Sequence, residues 1–460
     1  MVRTLIVCAV LTAWSPVCLA QDPPKPTETV IKLTVQPMAA PKPALKYQLL
    51  PELKEMMPGN PVLGYLKCFM EQQTFFHNKE VIAEREKWTS APLADLPLKQ
   101  LHDYGGGALR RADEAARLDT PDWQILLKAK KEGIRLLLPE VQELRNLAWC
   151  LQLRFRVQVA EGDFDHAIVT AKTMLALSRH MAEHPTLISD LVGIAIAQLA
   201  MRPLEEMLEQ PGCPNLYWAL TDLPHPFIDL RKGVQGERLI MEPIFGLFDD
   251  SEPMSEERIQ KAVTEVDTAL KAMEAKEDVR AWLDARVKDD NFLQTARKRL
   301  IDSGMAEKKV QQFPPLQVVL LDEKLEYEVR HDEQSKWLLM PYWKAEAGLL
   351  ESITARPKND RLLGEFLSAV VKVKRAQSRI DQRIALLRHV EALRMYAADH
   401  DGKLPAKLDD IKVPLPEDPF TGKAFGYEVS GATALLKGSA PKGEEANPAY
   451  NIRYAVTIKK

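Results

Sequence analysis

The residues best suited to chemistry lie together at His180-Met181-Ala182-Glu183-His184. On a helix, His180 and His184 stand one turn apart on the same face, where two imidazole nitrogens can chelate Zn²⁺. Glu183 would then act as general base on the metal-bound water, the logic of a His-x-x-Glu-His hydrolase site. A third ligand would have to come from downstream glutamates such as Glu256 or Glu257. Pro185 follows the motif directly and places it on the last turn of a helix. The reading favoured there is simpler: two histidines carry positive charge at a helix C-terminus, worth roughly 0.3–1 kcal/mol.

Two further groups invite a functional reading. Gly105-Gly106-Gly107 with Arg110 and Arg111 could cradle an anion at a helix start, but no nucleotide-binding spacing or preceding strand accompanies it. A hinge before a helix is the expected role. Tyr217, Trp218, His225, Phe227 and Arg231 are the residue types that dominate binding hot spots and form the candidate interaction surface, although they also pack ordinary helix corners. The chain has no Gly-x-Ser-x-Gly elbow, no Cys-x-x-Cys pair and no P-loop.

Composition narrows the function classes. Among 460 residues, 62 Lys and Arg face 65 Asp and Glu, for a net charge of −3. The two signs are well mixed, which argues against nucleic acid as main partner, since phosphate binding needs a concentrated basic surface. The N-terminus has the layout of a secretory signal: Arg3, an apolar run from Leu5 to Trp14, then Pro16 and Cys18-Leu19-Ala20 before a cut at Gln21. A lipoprotein reading of Cys18 is disfavoured by Val17. Periplasmic or extracellular residence follows as an expectation. The stretch Leu187–Met201 is apolar but interrupted by Asp190 and Gln198, and reads as a buried helix, so no transmembrane helix is expected after the signal. Beyond the signal, Cys68, Cys150 and Cys213 are an odd set; one disulfide is possible, and burial as small core residues is the simpler expectation.

The elements that must position these residues are mostly helical. Residues 21–46 hold six prolines and read as an extended, solvated linker, with one short edge strand possible where Ile31, Leu33 and Val35 alternate with polar residues. Asn60 and Pro61 open a helix expected to run to about Trp88. Pro139 starts a helix with Val141, Leu144, Leu147, Ala148 and Leu151 on one face, ended at Glu161-Gly162-Asp163. A second helix begins at Phe164, and Thr186 caps a third. Further helices are expected at about 254–275, 278–302 and 314–340. A long amphipathic helix over roughly 360–398 carries the stripe Ile380, Ile384, Leu387, Val390, Leu393 and Ala397. Alternation at Phe425–Val429, Thr433–Lys437 and Ile452–Ile458, with a turn at Ser430-Gly431, predicts a small antiparallel sheet.

Three resemblances add to this. Ala160 to Ile168 resembles the turn of a tetratricopeptide repeat, though bulky Phe155 departs from the pattern and no second copy follows at about 34 residues. The middle of the chain, at Leu138–Gln142, Pro185–Ala195 and Pro214–Leu220, resembles a family of uncharacterised secreted proteins of planctomycete-type bacteria, which implies no activity. The tail, through Tyr396, Asp399, Gly402 to Pro405, Asp418 to Gly422 and Tyr427, is similar to the C-terminal part of type II secretion pseudopilins. That likeness implies a shape; the assembling N-terminal helix of a pseudopilin has no counterpart here. It also raises calcium at Asp399, Asp401 and Asp418, against turn-capping as the plainer role.

The sequence therefore predicts a mainly α protein: an irregular, tetratricopeptide-like stack of helical hairpins over 47–350 and a long helix with a small antiparallel sheet over 360–460. The expected function is non-catalytic protein–protein interaction in the cell envelope, without cofactor. A zinc hydrolase and a structural envelope component are the alternatives.

Overall fold

Helix starts follow local capping chemistry. Asn60 Oδ1 accepts from Val62 N–H at 3.0 Å, and Pro61 opens α1 (Pro61–Glu71) where its missing N–H costs nothing. The single helix expected to reach Trp88 is broken at Gln72 and Asn78. Asn78 Oδ1 accepts from Glu80 N–H and Val81 N–H at 2.9 and 3.1 Å and starts α2 (Lys79–Ser90). A polar side chain that bonds its own backbone ends one helix and caps the next. The computed structural model describes residues 27–275, 278–354, 361–367 and 369–459. The expected signal over 1–20 and the first residues of the proline-rich segment lie outside them.

After α3 (Gly106–Ala115), three long helices stack in sequence: α4 (Pro139–Ala160), α5 (Phe164–Ala182) and α6 (Leu187–Leu208). Gly162 turns the first corner at φ 73°, and Asp163 caps α5 by accepting from His166 N–H at 3.3 Å. Thr186 Oγ1 caps α6 by accepting from Ser189 N–H at 3.2 Å. Among the described residues α6 alone has the length and composition to cross a membrane, and 67% of its most apolar stretch is buried within the protein. It is the central helix of the stack.

Then follow α7 (Arg231–Phe245), α8 (Glu256–Ala272), α9 (Asp290–Asp302), α10 (Pro315–Leu338), α11 (Tyr342–Thr354) and the long α12 (Val370–Asp399), with shorter helical turns between them. The helix expected over 278–302 is two, because Asp289 accepts from Phe292 N–H at 3.0 Å and restarts the chain as α9.

The sheet has β1 (Thr29–Val35), β2 (Gly426–Ser430), β3 (Thr433–Lys437) and β4 (Ile452–Ile458) in the order β1-β4-β3-β2. Strands β2, β3 and β4 pair antiparallel, as the alternation predicts. The fourth strand corrects the purely antiparallel expectation: β1 pairs in parallel with β4, from Thr29 opposite Ile452 to Val35 opposite Ile458. This strand also corrects the solvated-linker reading, since Leu33 and Val35 are buried and Thr34 N–H donates to Glu209 Oε1 at 3.0 Å. A strand drawn from the other end of the chain escapes the hairpin constraint, so parallel pairing is open to it.

Two principal cores result. The larger one runs through α4, α5, α6, α12 and the sheet, joining Leu147, Met174 and Ile196 to Ile380, Leu387, Tyr454 and Val456. The long helix and sheet thus share one apolar interior with the helical stack. The second lies between α7 and Leu367, around Val266, Leu300, Val319 and Leu363.

Candidate binding cleft

A cleft of about 330 Å³ opens where three segments meet over α12. Its floor is the row Asp381, Ile384, Ala385 and Arg388, at the spacing of three and four that puts residues on one helix face. One wall is Leu220, in the short helix Tyr217–Thr221, with Leu223, Pro224 and His225 just after it. The other is the loop Pro416–Pro419 with Gly422, against which Trp343 of α11 stands.

Buried hydrogen bonds fix both walls to the floor. Phe227 N–H donates to Asp381 Oδ1 at 2.9 Å, and Gln377 Nε2 donates to Ile228 O at 2.6 Å. On the opposite side, Asp418 accepts from Gln382 Nε2 at 3.0 Å, Phe420 N–H at 3.0 Å and Ser439 N–H at 2.6 Å. The Tyr217 hydroxyl donates to Pro414 O and ties the two walls together. At Gly422, φ is 62°, and a Cβ would lie 2.6 Å from the Trp343 ring, so this turn admits only glycine beside the indole.

The electrostatics are mixed. Asp381 is buried, and burial raises its carboxyl to about 6 against the opposing pull of His225, Phe227 N–H and Lys374. His225 Nδ1 stands 3.9 Å from Asp381 Oδ2, within ion-pair reach but beyond a hydrogen bond, with its ring 73% exposed at the rim. Seven residues along α12, the Arg388 guanidinium lies 5.6 Å from the Tyr217 ring centroid, and its buried Nε has no hydrogen-bond partner among the described residues. Acid and base thus sit at two ends of an apolar floor, with the half-exposed Trp343 at the rim.

The candidate interaction residues are not one surface. Tyr217 and Phe227 are fully buried and pack the interior, Trp218 is half-buried edge-on to Tyr217 at 5.0 Å, and only His225 and Arg231 are exposed. His225 belongs to the cleft, whereas Arg231 pairs with Asp229 at 3.6 Å beside a separate hollow of about 90 Å³ that Glu183 also lines. Aromatic rings were drawn inward because the segment 214–228 is pressed between α12 and the neighbouring helices.

The His180–His184 group does not converge. His180 Nδ1 is 3.0 Å from the Tyr65 hydroxyl, and His180 O accepts from Trp123 Nε1 at 3.0 Å. His184 lies past the end of α5, buried, with Nδ1 3.1 Å from Thr186 Oγ1. Glu183 turns outward to pair with Lys232. Burial pushes both imidazoles down to about 4, so the helix-end charge reading is also corrected: neutral rings, not cations, occupy these places. Among the described residues no group of three or more His, Cys, Asp or Glu side chains is placed to hold a metal ion. Asp418 is committed to three protein donors next to Gln382, while Asp399 is 17 residues further along α12, about 25 Å at 1.5 Å per residue. Asp401, just past the same helix end, turns at φ 51°. The calcium trio therefore does not assemble.

Other expectations resolve similarly. Gly105 and Gly106 take φ 79° and 41° at the start of α3, and Arg110 and Arg111 pair with Asp103 and Glu114. These arginines are answered by carboxylates, which removes the anion cradle. Cys68, Cys150 and Cys213 are free and buried, with thiols raised to about 12 by burial.

The residues missed from sequence are Asp381, Arg388, Trp343 and Asp418 in its cleft role. A signal existed: Asp381 and Arg388 flank Ile384 on the apolar side of the long helix, where charges need a reason to stay. Comparison with protein-family models, curated proteins and solved structures finds no match to this chain.

Proposed function

We propose that the protein is an exported, non-catalytic component of the cell envelope that acts by binding another protein at the α12 cleft. The observation that carries this reading is the cleft itself. Three segments far apart in sequence are fixed by buried hydrogen bonds around an apolar floor with Asp381 and Arg388 at its ends, an aromatic rim, and the carboxylates Glu417 and Asp418 in the facing loop. That is the equipment of recognition, where a few placed polar groups orient a partner over apolar surface. Export rests on the signal-like N-terminus read from sequence.

In-cell cross-linking of the tagged protein, followed by mass spectrometry, tests the reading. One reproducible partner with cross-links concentrated on the cleft rim, at Lys344 beside Trp343 and at Lys423 beside Gly422, is the expected outcome. Cross-links confined to other faces, or no partner above background, overturn it.

A further inference from the structure

We infer that the cleft takes an extended polypeptide segment with a basic side chain directed at Asp381 and an acidic side chain, two residues away, directed at Arg388. This rests on the reading of the cleft as a partner-binding site and names the chemistry it selects.

The first support is charge placement. Asp381 uses one carboxylate oxygen to hold the Phe227 N–H, while the other faces the cleft side where His225 stands 3.9 Å away. Arg388 is the complementary end: its guanidinium lies over Tyr217, and among the described residues its buried Nε has no partner and no carboxylate stands at hydrogen-bond distance. Glu417 of the facing loop adds a further carboxylate to the lining, so the cleft favours a cation at Asp381 and offers an anion one place, at Arg388. A ligand bearing both charges satisfies both ends.

The second support is spacing. Seven residues of helix separate the two Cα atoms by about 10.5 Å. Helical side chains lean toward the helix N-terminus, and the longer arginine gains more by this than the aspartate, so the charged tips come closer than the Cα atoms. In an extended chain, residues i and i+2 point the same way about 6.6 Å apart. A basic and an acidic residue at that spacing reach the two ends, and the residue between them points out of the cleft.

The third support is the middle of the floor and the rim. Ile384 and Ala385 offer apolar surface between the charges, suited to the methylene stem of a lysine or arginine. Trp343, 46% exposed, stands at the rim with Lys344 Nζ already 4.9 Å from its ring centroid, so what it offers a ligand is apolar cover for the backbone.

The test is a titration of the full chain with capped, fluorescently labelled pentapeptides: Ala-Lys-Ala-Asp-Ala, its neutral counterpart Ala-Gln-Ala-Asn-Ala, and Ala-Lys-Ala-Lys-Ala. Polarisation is read for wild type, Arg388→Glu and Trp343→Ala, with thermal denaturation confirming that each variant is folded. The wild type is expected to prefer the Lys-x-Asp peptide over the neutral one by about tenfold or more, equivalent to one unlike-charge contact pair of roughly 1.4 kcal/mol. Arg388→Glu should invert the preference toward Lys-x-Lys, and Trp343→Ala should weaken every charged peptide. Equal binding of charged and neutral peptides, no saturable binding by wild type, or an unchanged preference in Arg388→Glu overturns the inference. A partner still cross-linked at the rim would then leave the binding reading standing and remove only its charge rule. Peptide selectivity without cellular cross-links at the rim would do the reverse.

Discussion

The two cores of this protein handle charge differently. In the larger core, buried charged groups bond to segments remote in sequence. Arg394 and Glu391, essentially sealed from water, tie α12 to Gln36 O, Cys213 O and Leu216 N–H, at 3.0, 2.7 and 2.7 Å. Arg383 reaches Glu205 on α6 and the Tyr454 hydroxyl on β4, at 2.8 and 2.9 Å. In the second core, the buried acids Asp322 and Glu323 meet Arg361, and Asp322 also meets Arg299, all within 40 residues of chain. Its remaining charges mostly decorate exposed helix faces, as in the Lys271–Asp267 pair. The difference teaches what each network does. Pairs between neighbouring helices finish a packing that amphipathic pattern already favours. Buried charges whose bonds reach distant segments specify which of those segments meet, and in the larger core they include the helix that floors the cleft.

The strongest test of that contrast is Glu391→Ala. It leaves the Arg394 guanidinium buried and uncompensated and strips Leu216 N–H of its acceptor, so a loss of about 3–5 kcal/mol in urea unfolding is expected. A loss below about 1 kcal/mol would show that the bonds this pair sends to remote segments specify nothing. Next comes Arg361→Ala in the second core, where Arg299 still answers Asp322 and Glu323 loses its ion pair but keeps the Leu363 N–H. About 2 kcal/mol is expected by the same measurement; a cost equal to that of Glu391→Ala erases the distinction between the cores.

Acid should also distinguish them. His180, His184 and His389, all in or beside the larger core, are lowered to about 4 by burial. Between the ordinary imidazole value near 6.5 and that level, the unfolded chain binds more protons, so these groups remove stability as pH falls through the window. Replacing one isolates its share from the raised carboxyls of Asp381 and Asp190, which act in the opposite sense. Between about pH 7 and pH 5, wild type is expected to lose about 2 kcal/mol more than His389→Phe. Parallel pH profiles for the two proteins would count against burial as the cause. The smallest effect belongs to Lys271→Ala on the exposed face of α8, where less than about 0.5 kcal/mol is expected from thermal unfolding. A larger loss would mean that the second core depends on its surface charges after all.

What the sequence determined by itself was local. Asn60 and Thr186 each cap the helix whose start they announce, because a side-chain oxygen reaches backbone N–H groups two or three residues on. The three β-strands of the tail and their hairpin follow from alternation and one turn. The stripe of the long helix was legible for the same reason. Tertiary structure alone decided the rest. It set β1 parallel to β4, more than 400 residues away in sequence, sent Tyr217 and Phe227 inward, and buried His180 and His184 as neutral rings. It also turned Asp381 and Arg388 of one helix face into the floor of a cleft. Capping and periodicity act over a few residues and can be read along the chain. Burial, pairing direction and the facing of charges depend on which remote segment arrives, and a single sequence does not encode that locally.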